Sequence, residues 1–370
     1  MRFIHLSDLH IGKRLNGFSL LEDQEYILLK IIEIIDDKKP EAVIIAGDVY
    51  DKSVPSAEAV ALFDSFLVRL LKRNIEVFVI SGNHDSAERI AFGSKIMDAA
   101  GIHMSPVYNG HVEPVALSDE YGSLFIYSLP FVKPVNVRKF FGEEIESFDD
   151  AMKAAISEMC IDKESRNILI THQFVTGAER SESEEIMVGG TDNIDAGIFE
   201  GFDYVALGHI HKPQKIGREE VRYCGTPLKY SFSEAGHEKS VTVIDMSEKG
   251  NVEISTVPLC ARRDLRIIKG TFDEVMKGEY SEDYIQVILN DEDDIFDAVN
   301  KLRNVYPNLM KLDYDNNRTR SQANLEIIEN IEELHPADLF AQFYEDQNGQ
   351  PMSSEQEEYV KDLVESIWRA

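Results

Sequence analysis

An α/β fold, with central sheets flanked by helices, a small α+β domain after it and a helical C-terminal segment, is what this sequence predicts. Three observations carry the prediction. Five short apolar runs, "RFIHLSD", "EAVIIAGD", "EVFVISGN", "NILITH" and "YVALGH", have the length and composition of strands buried on both faces. Segments with a helical period separate the first three of them. Each run also ends in a side chain able to bind a metal ion.

The elements follow in order. The first strand begins at residue 2. In "LLEDQEYILLKIIEIIDDKKP" the residues Leu21, Leu28, Ile31 and Ile35 keep one helical face, and Pro40 closes it. In "SAEAVALFDSFLVRLLKRN" the stripe is Leu62, Phe66 and Leu70, and Lys72 and Arg73 suit the negative end of a helix dipole. Strand, helix and strand in this succession imply parallel pairing. Residues 111–129 and 222–257 read instead as antiparallel hairpins that extend the parallel sheet or stack on it. From about residue 266 a smaller alternation of strands and helices marks a second domain. Past residue 321 the chain reads as helical and acidic. The boundaries expected are therefore 1–265, 266–320 and 321–370.

Composition narrows the function classes. The formal charge of the 370 residues is -29, which argues against a broad basic face for nucleic acid. The acid is unevenly spread: residues 279–297 hold eight Asp or Glu and no Lys or Arg, and residues 326–365 hold twelve with a single Lys. Cys160, Cys224 and Cys260 are odd in number and widely spaced, so they form no disulfide framework and suit a reducing cytoplasm. No apolar run approaches the length of a membrane span, and the N-terminus lacks the pattern of a signal peptide.

The strand ends hold the chemistry. The first supplies Asp8 and His10, the second Asp48, the third Asn83, the fourth His172, and the fifth His209 and His211. Ligands of open α/β sheets bind just outside the carboxyl ends of the strands, so these residues are expected to converge. Gly47, Gly82 and Gly208 directly precede ligand residues, where the backbone must turn sharply or come close to a neighbour. Asp8, His10, Asp48 and His211 can hold one ion. Asp48 as a bridge, with Asn83, His172 and His209, can hold a second. The mixture of imidazole and carboxylate suits Mn, Fe or Zn better than Mg. Two ions would offset the negative charge of the site's carboxylates and attract a phosphodiester locally.

As an ordered set, D-x-H, G-D-x-x-D, G-N-H-D, a lone H and G-H-x-H resemble the calcineurin-like metallophosphoesterase superfamily. The stretches "VGGTDNIDAGIFEGFDYVALGHIHKPQ" and "YCGTPLKYSFSEAGHEKSVTVID" are similar to its bacterial double-strand-break nucleases, over nearly the whole chain. The resemblance implies a metallophosphoesterase-type core and the ligand assignment above, with two divalent ions, manganese foremost. It implies a catalytic role for His84. It also implies a DNA nuclease with 3′-to-5′ double-strand exonuclease and single-strand endonuclease activities, used in repair, replication and recombination. The residues 266–320 would cap the site and touch DNA. The partners implied are DNA, an ATPase subunit with a coiled coil, and a second nuclease subunit. Some relatives carry histidine where Asp51 stands, so Asp51 is expected behind the ligands, with Asp85 and Arg89 as further supports. The rival readings are a phosphatase or small-molecule phosphodiesterase of the same superfamily, and a non-catalytic scaffold.

The acidic tail completes the expectations. "PADLFAQFYEDQ" places Leu339, Phe340, Phe343 and Tyr344 at helical spacing. "SSEQEEYVKDLVESIWRA" offers a capping box in Ser354 and Glu357, then an apolar face that includes Tyr359, Leu363 and Ile367. Phe340, Phe343, Tyr359, Leu363 and Ile367 are the expected contacts with the ATPase.

Overall fold

The computed structural model describes residues 1–184 and 192–316. Beyond these it describes only Thr319, Phe340, Ala341, Tyr344, Met352, Ser353, Gln356, Glu357, Tyr359 and Val360. Two six-stranded sheets lie face to face. The first runs in the order Val252–Pro258, Ser240–Met246, Arg2–Leu6, Ala42–Ala46, Glu76–Ile80, Ile102–Met104. Its last four strands are parallel, and the hairpin of residues 240–258 joins antiparallel to Arg2–Leu6. The second runs Gln214–Ile216, Arg218–Tyr223, Tyr204–Gly208, Arg166–His172, Gly122–Ser128, Val115–Asp119.

Period-2 alternation builds the layers. Along Ala42–Ala46, the residues Val43 and Ile45 face outward to the helices, while Ala42, Ile44 and Ala46 face the other sheet. The outer face is covered by Leu21–Lys38 and Ala57–Leu71, which bury Ile27, Leu28, Ile31, Ile35, Phe63, Phe66 and Leu70. The first helix ends where Lys39 turns left-handed (φ 50°) and its N–H reaches the Ile35 carbonyl. The second starts where Ser56 Oγ accepts the Ala59 N–H at 3.2 Å. Truncating a fully packed ring such as Phe66 would cost about 3–5 kcal/mol. Between the sheets lie Phe3, Phe78, Ile80, Leu124, Ile126, Ile168 and Ile170, all fully buried. The second sheet's outer face is covered by Pro134–Phe141 and Phe148–Ser157, through Val137, Ala151, Met152 and Ala155.

The hairpins extend the sheets rather than stack on them; the one of residues 240–258 is antiparallel throughout, while two other strands of these stretches also pair in parallel. Gly122–Ser128 also runs parallel to Arg166–His172, and Arg218–Tyr223 runs parallel to Tyr204–Gly208. The five ligand-bearing strands are divided, three in the first sheet and two in the second. The physical reason is the interior between the sheets: each sheet hides one apolar face against the other and one against helices, which a single sheet would do with helices alone.

Leu265–Gly270, Tyr284–Leu289 and Leu309–Tyr314 form a separate three-stranded parallel sheet. Phe272–Val275 and Ala298–Leu302 accompany it, and Val275, Ile285, Val287, Leu289, Leu302, Tyr306 and Leu309 form its own core. It meets the larger body where Leu265 and Tyr284 pack with Leu20, Ile27, Leu228 and Tyr230. At the same seam Arg263 and the Tyr284 hydroxyl both reach Asp23, at 3.0 and 2.6 Å.

Among the tail's described positions, Phe340 and Tyr359 are exposed. Phe343, Leu363 and Ile367 lie outside the described residues. Of the cap expected at Ser354 and Glu357, Ser354 lies outside the described residues; the described positions pair Ser353 with Gln356. Gln356 N–H donates to Ser353 Oγ at 3.4 Å and the Ser353 N–H to Gln356 Oε1 at 2.9 Å, because serine and glutamine satisfy the same S-x-x-Q geometry.

Candidate metal centre

The loops that leave the strand ends hold their ligand residues in strained backbone. Asp8, His10, Asp48 and His209 all have positive φ, at 52°, 43°, 48° and 101°, each costing on the order of 1–3 kcal/mol. The strain is held by a ladder between loops. Asp8 N–H donates to the Gly47 carbonyl (3.0 Å), and His10 N–H to the Asp48 carbonyl (2.9 Å). Gly208 is required by close approach, since a Cβ there would overlap the Ala46 carbonyl oxygen of the facing sheet. Both sheets thereby bring their ends to one place.

All seven ligand-type residues meet there. Three trios have donor atoms within 4.8 Å of one another: Asp8, His10 and His211; His10, Asp48 and His84; and Asp8, Asp48 and His172. Asp48 sits in the middle. Its Oδ2 lies 3.3 Å from His172 Nε2, 3.7 Å from His10 Nε2 and 4.0 Å from His84 Nε2. Asn83 Oδ1 stands between His172 Nε2 (3.0 Å) and His209 Nδ1 (2.9 Å). The Nε2 atoms of His10 and His211 face each other at 3.2 Å. Facing imidazole nitrogens gathered around buried carboxylates fit a cation: each has a lone pair to give, and burial leaves few alternative partners. The chain binds divalent metal at this cluster.

Second partners orient the rings. His172 Nδ1–H donates to the Ala46 carbonyl at 2.8 Å, which leaves its Nε2 to the site. His84 Nδ1–H donates to the Asp51 carbonyl at 3.1 Å, and its side chain is 17% exposed against 0–3% for Asp8, His10, Asp48, His172 and His211. His84 is thus on the open rim. The Asp51 carboxylate faces away to Lys13 (2.8 Å) and is 4.0 Å from His10 Nδ1. Asp85 accepts the N–H groups of Val49, Tyr50 and Gly82, each at 3.0 Å, and so ties the second and third loops together. Arg89 is exposed on the short helix Ala87–Ile90.

The electrostatics are those of a site built for cations. Burial pushes Asp8 up to about 6. Burial also opposes charge on Asp48, but the His172 imidazole outweighs it and holds that carboxyl well below the usual range. For His172 burial disfavours the proton, yet Asp48 raises it to about 9. Burial depresses His10 and His209. Burial and then the charge of Asp48 raise Asp85 to about 6.

The structure adds residues that spacing did not mark. The buried Glu234 accepts from Lys239 Nζ at 2.5 Å and lies 3.4 Å from His211 Nδ1. Ser183 bridges the two, and Glu184 accepts the His211 N–H at 2.7 Å. Gln24 and Tyr230 hold the Leu9–His10 backbone carbonyls. Glu234 ends the short 3-10 turn Phe232–Glu234 and Lys239 lies in the irregular stretch after it, where no periodicity distinguishes a buried charge from a solvated one.

Fold and site together define a phosphoesterase. The family model for calcineurin-like phosphoesterases matches residues 1–213, and one described as a type 5 capsule protein repressor C-terminal domain matches residues 261–348. The chain is 31% identical to a Staphylococcus epidermidis protein named as the SbcD component of nuclease SbcCD, an alignment covering 99% of both chains. It is also 31% identical to the protein of that name from Staphylococcus saprophyticus, over 99% of this chain and 98% of the other. The chain belongs to the SbcD family of metal-dependent phosphoesterases. Among the described residues no helix is long and apolar enough to cross a membrane.

Proposed function

We propose that the protein is the nuclease subunit of a DNA-processing complex. It cleaves phosphodiesters as a 3′-to-5′ double-strand exonuclease and single-strand endonuclease, in the cytoplasm, in repair, replication and recombination. The observation that supports this best is the gathering of seven ligand-type side chains from two sheets in one cluster, with Asp48 among them. Asp8, His10, Asp48 and His211 hold one ion, and Asp48, Asn83, His172 and His209 a second, manganese foremost. Bound there, such ions supply Lewis acidity and lower the pKa of water.

The chain's residues do the rest. His84 on the rim keeps its Nδ1 proton on the Asp51 carbonyl, so Nε2 is the atom that faces the phosphate, and in the imidazolium form the second proton, on Nε2, passes to the leaving oxygen. Asp51 and Asp85 fix the loops on either side of it. Arg89 is a weaker support, reaching the site only through its helix. Domain roles follow the same division: residues 1–265 catalyse, 266–320 cap the site and touch DNA, and 321–370 hold the partner.

A chain of net charge -29 grips DNA poorly by itself, which favours dependence on an SbcC-type ATPase. The tail supplies the contact, with Phe340, Phe343, Tyr359, Leu363 and Ile367 as its apolar residues. A second copy of the chain completes the assembly, and Phe92 and Ile96, 82% and 81% exposed, give such a copy an apolar surface.

The test is cleavage of end-labelled duplex and hairpin DNA in manganese, with and without the ATPase, beside a chromogenic bis-phosphodiester. DNA cleavage stimulated by the ATPase is expected. Turnover of the small diester alone would favour a small-molecule phosphodiesterase, and no turnover of either a scaffold. Truncation after residue 325 should spare manganese-dependent cleavage and remove ATPase binding; a truncated chain that still co-purifies with the ATPase at full stoichiometry excludes the tail as the dock.

A further inference from the structure

The two ring pairs of the centre are oriented by different means. His172 is held by a backbone carbonyl, Ala46 O, which no substitution removes. His211 is held by side chains. Lys239 Nζ reaches Glu234 Oε2 at 2.5 Å, with side chains 5% and 0% exposed, so the pair is a buried ion pair and the carboxylate can only accept. Ser183 Oγ lies 2.6 Å from Glu234 Oε1, and its single proton is therefore given to Glu234. Ser183 Oγ also lies 2.7 Å from His211 Nδ1, where it can then only accept, so Nδ1 carries a hydrogen. The lone pair of His211 is left on Nε2, facing His10 Nε2 at 3.2 Å.

The same segment also supports His10. Tyr230 OH donates to the Leu9 carbonyl at 2.5 Å, and Gln24, bonded to Tyr230 OH at 3.1 Å, donates to the His10 carbonyl at 2.7 Å. Residues 226–239 thus stand behind the His211 imidazole and the Leu9–His10 backbone, and the Tyr230 ring meets the His10 ring edge-on with centroids 5.6 Å apart. Among the described residues, they make no hydrogen bond with His172, His209 or Asn83.

We infer that Glu234, charged by its pair with Lys239 and relayed through Ser183, is a positioning residue that sets the affinity of the ion position formed by Asp8, His10, Asp48 and His211, and leaves the position of Asn83, His172 and His209 unaffected. The inference rests on the two-ion reading proposed above. An outer partner of a metal-bound histidine is worth about 10–100-fold in affinity, and a relay of side chains makes that contribution removable on one side of the centre only.

The experiment titrates the full-length, metal-free chain with manganese alone, following stoichiometry and affinity by calorimetry and the coupled pair by electron paramagnetic resonance. Glu234→Gln should weaken one of the two ions about 10–100-fold, leave the other at its wild-type affinity, and replace the coupled spectrum with that of an isolated ion. Ser183→Ala, which leaves the ion pair intact, should weaken the same ion by a smaller factor. Equal weakening of both ions, or two ions at wild-type affinity in both variants, overturns the inference. If Glu234→Gln does not fold, Ser183→Ala decides: selective loss supports the relay, and an unchanged isotherm overturns it. A wild-type chain that takes up fewer than two ions overturns the two-ion reading, and the inference with it. Two ions in the wild type with unchanged variants overturn the inference alone.

Discussion

The large body and the small C-terminal sheet use the same architecture to different ends. Both contain runs of parallel strands joined through helices, though the large body adds antiparallel strands at its edges. In the large body the strand ends break into left-handed turns that carry Asp8, His10, Asp48 and His209, and three metal-type trios gather there. In the small sheet the strands end in Gly270, Leu289 and Tyr314, and among the described residues no such trio forms. Parallel topology therefore provides a platform, while the chemistry comes from the residues at the turn and from a facing sheet close enough to complete the set. Among the described residues the small sheet has no facing sheet, so its strand ends have nothing to converge with.

Breaking the shared point of the large body should have the largest effect. Asp48→Ala should release both ions and lower hydrolysis by more than the roughly 10²–10⁴-fold that loss of a proton-transferring side chain costs. Metal analysis that finds one tightly held ion would confine Asp48 to a single position. His84→Ala comes next. It should cost about 10²–10⁴-fold in hydrolysis with both ions retained, because His84 is on the rim and the ligand proposed from that loop is Asn83. Occupancy below half in this variant would make His84 a ligand.

A third test concerns the seam between the two sheets. His5 is fully buried there, bonded to Tyr204 OH at 3.0 Å, and burial, with the charge of Arg222, depresses it to about 3. The unfolded chain takes up this proton below about pH 6.5 and the folded chain does not until about pH 3. Stability from this group is therefore complete above pH 6.5 and falls as the pH drops. The fall amounts to about 2–3 kcal/mol between pH 6.5 and 4. Denaturant unfolding of metal-free wild type and His5→Gln should show the steeper acid loss in the wild type; parallel curves would mean that His5 is protonated in the fold. The smallest effect belongs to the small sheet's surface. Phe296 is 88% exposed, and Phe296→Ser should change stability by no more than about 0.5 kcal/mol. A larger loss would show that the ring is covered in solution.

Much of this molecule is determined by its sequence alone. Residue identity is local, so the candidate donors Asp8, His10, Asp48, Asn83, His172, His209 and His211 and the glycines Gly47, Gly82 and Gly208 can be read without a structure. So can the helices of residues 21–38 and 57–71, because their apolar period is itself local. The tertiary structure decided the rest. It divided the ligand strands between two sheets, because burying both faces of each strand is a matter of which surfaces meet. And it placed Ser183, Glu234 and Lys239 behind His211. A charged side chain reads the same in sequence whether it is solvated or buried in an ion pair, and only packing from distant parts of the chain removes the water.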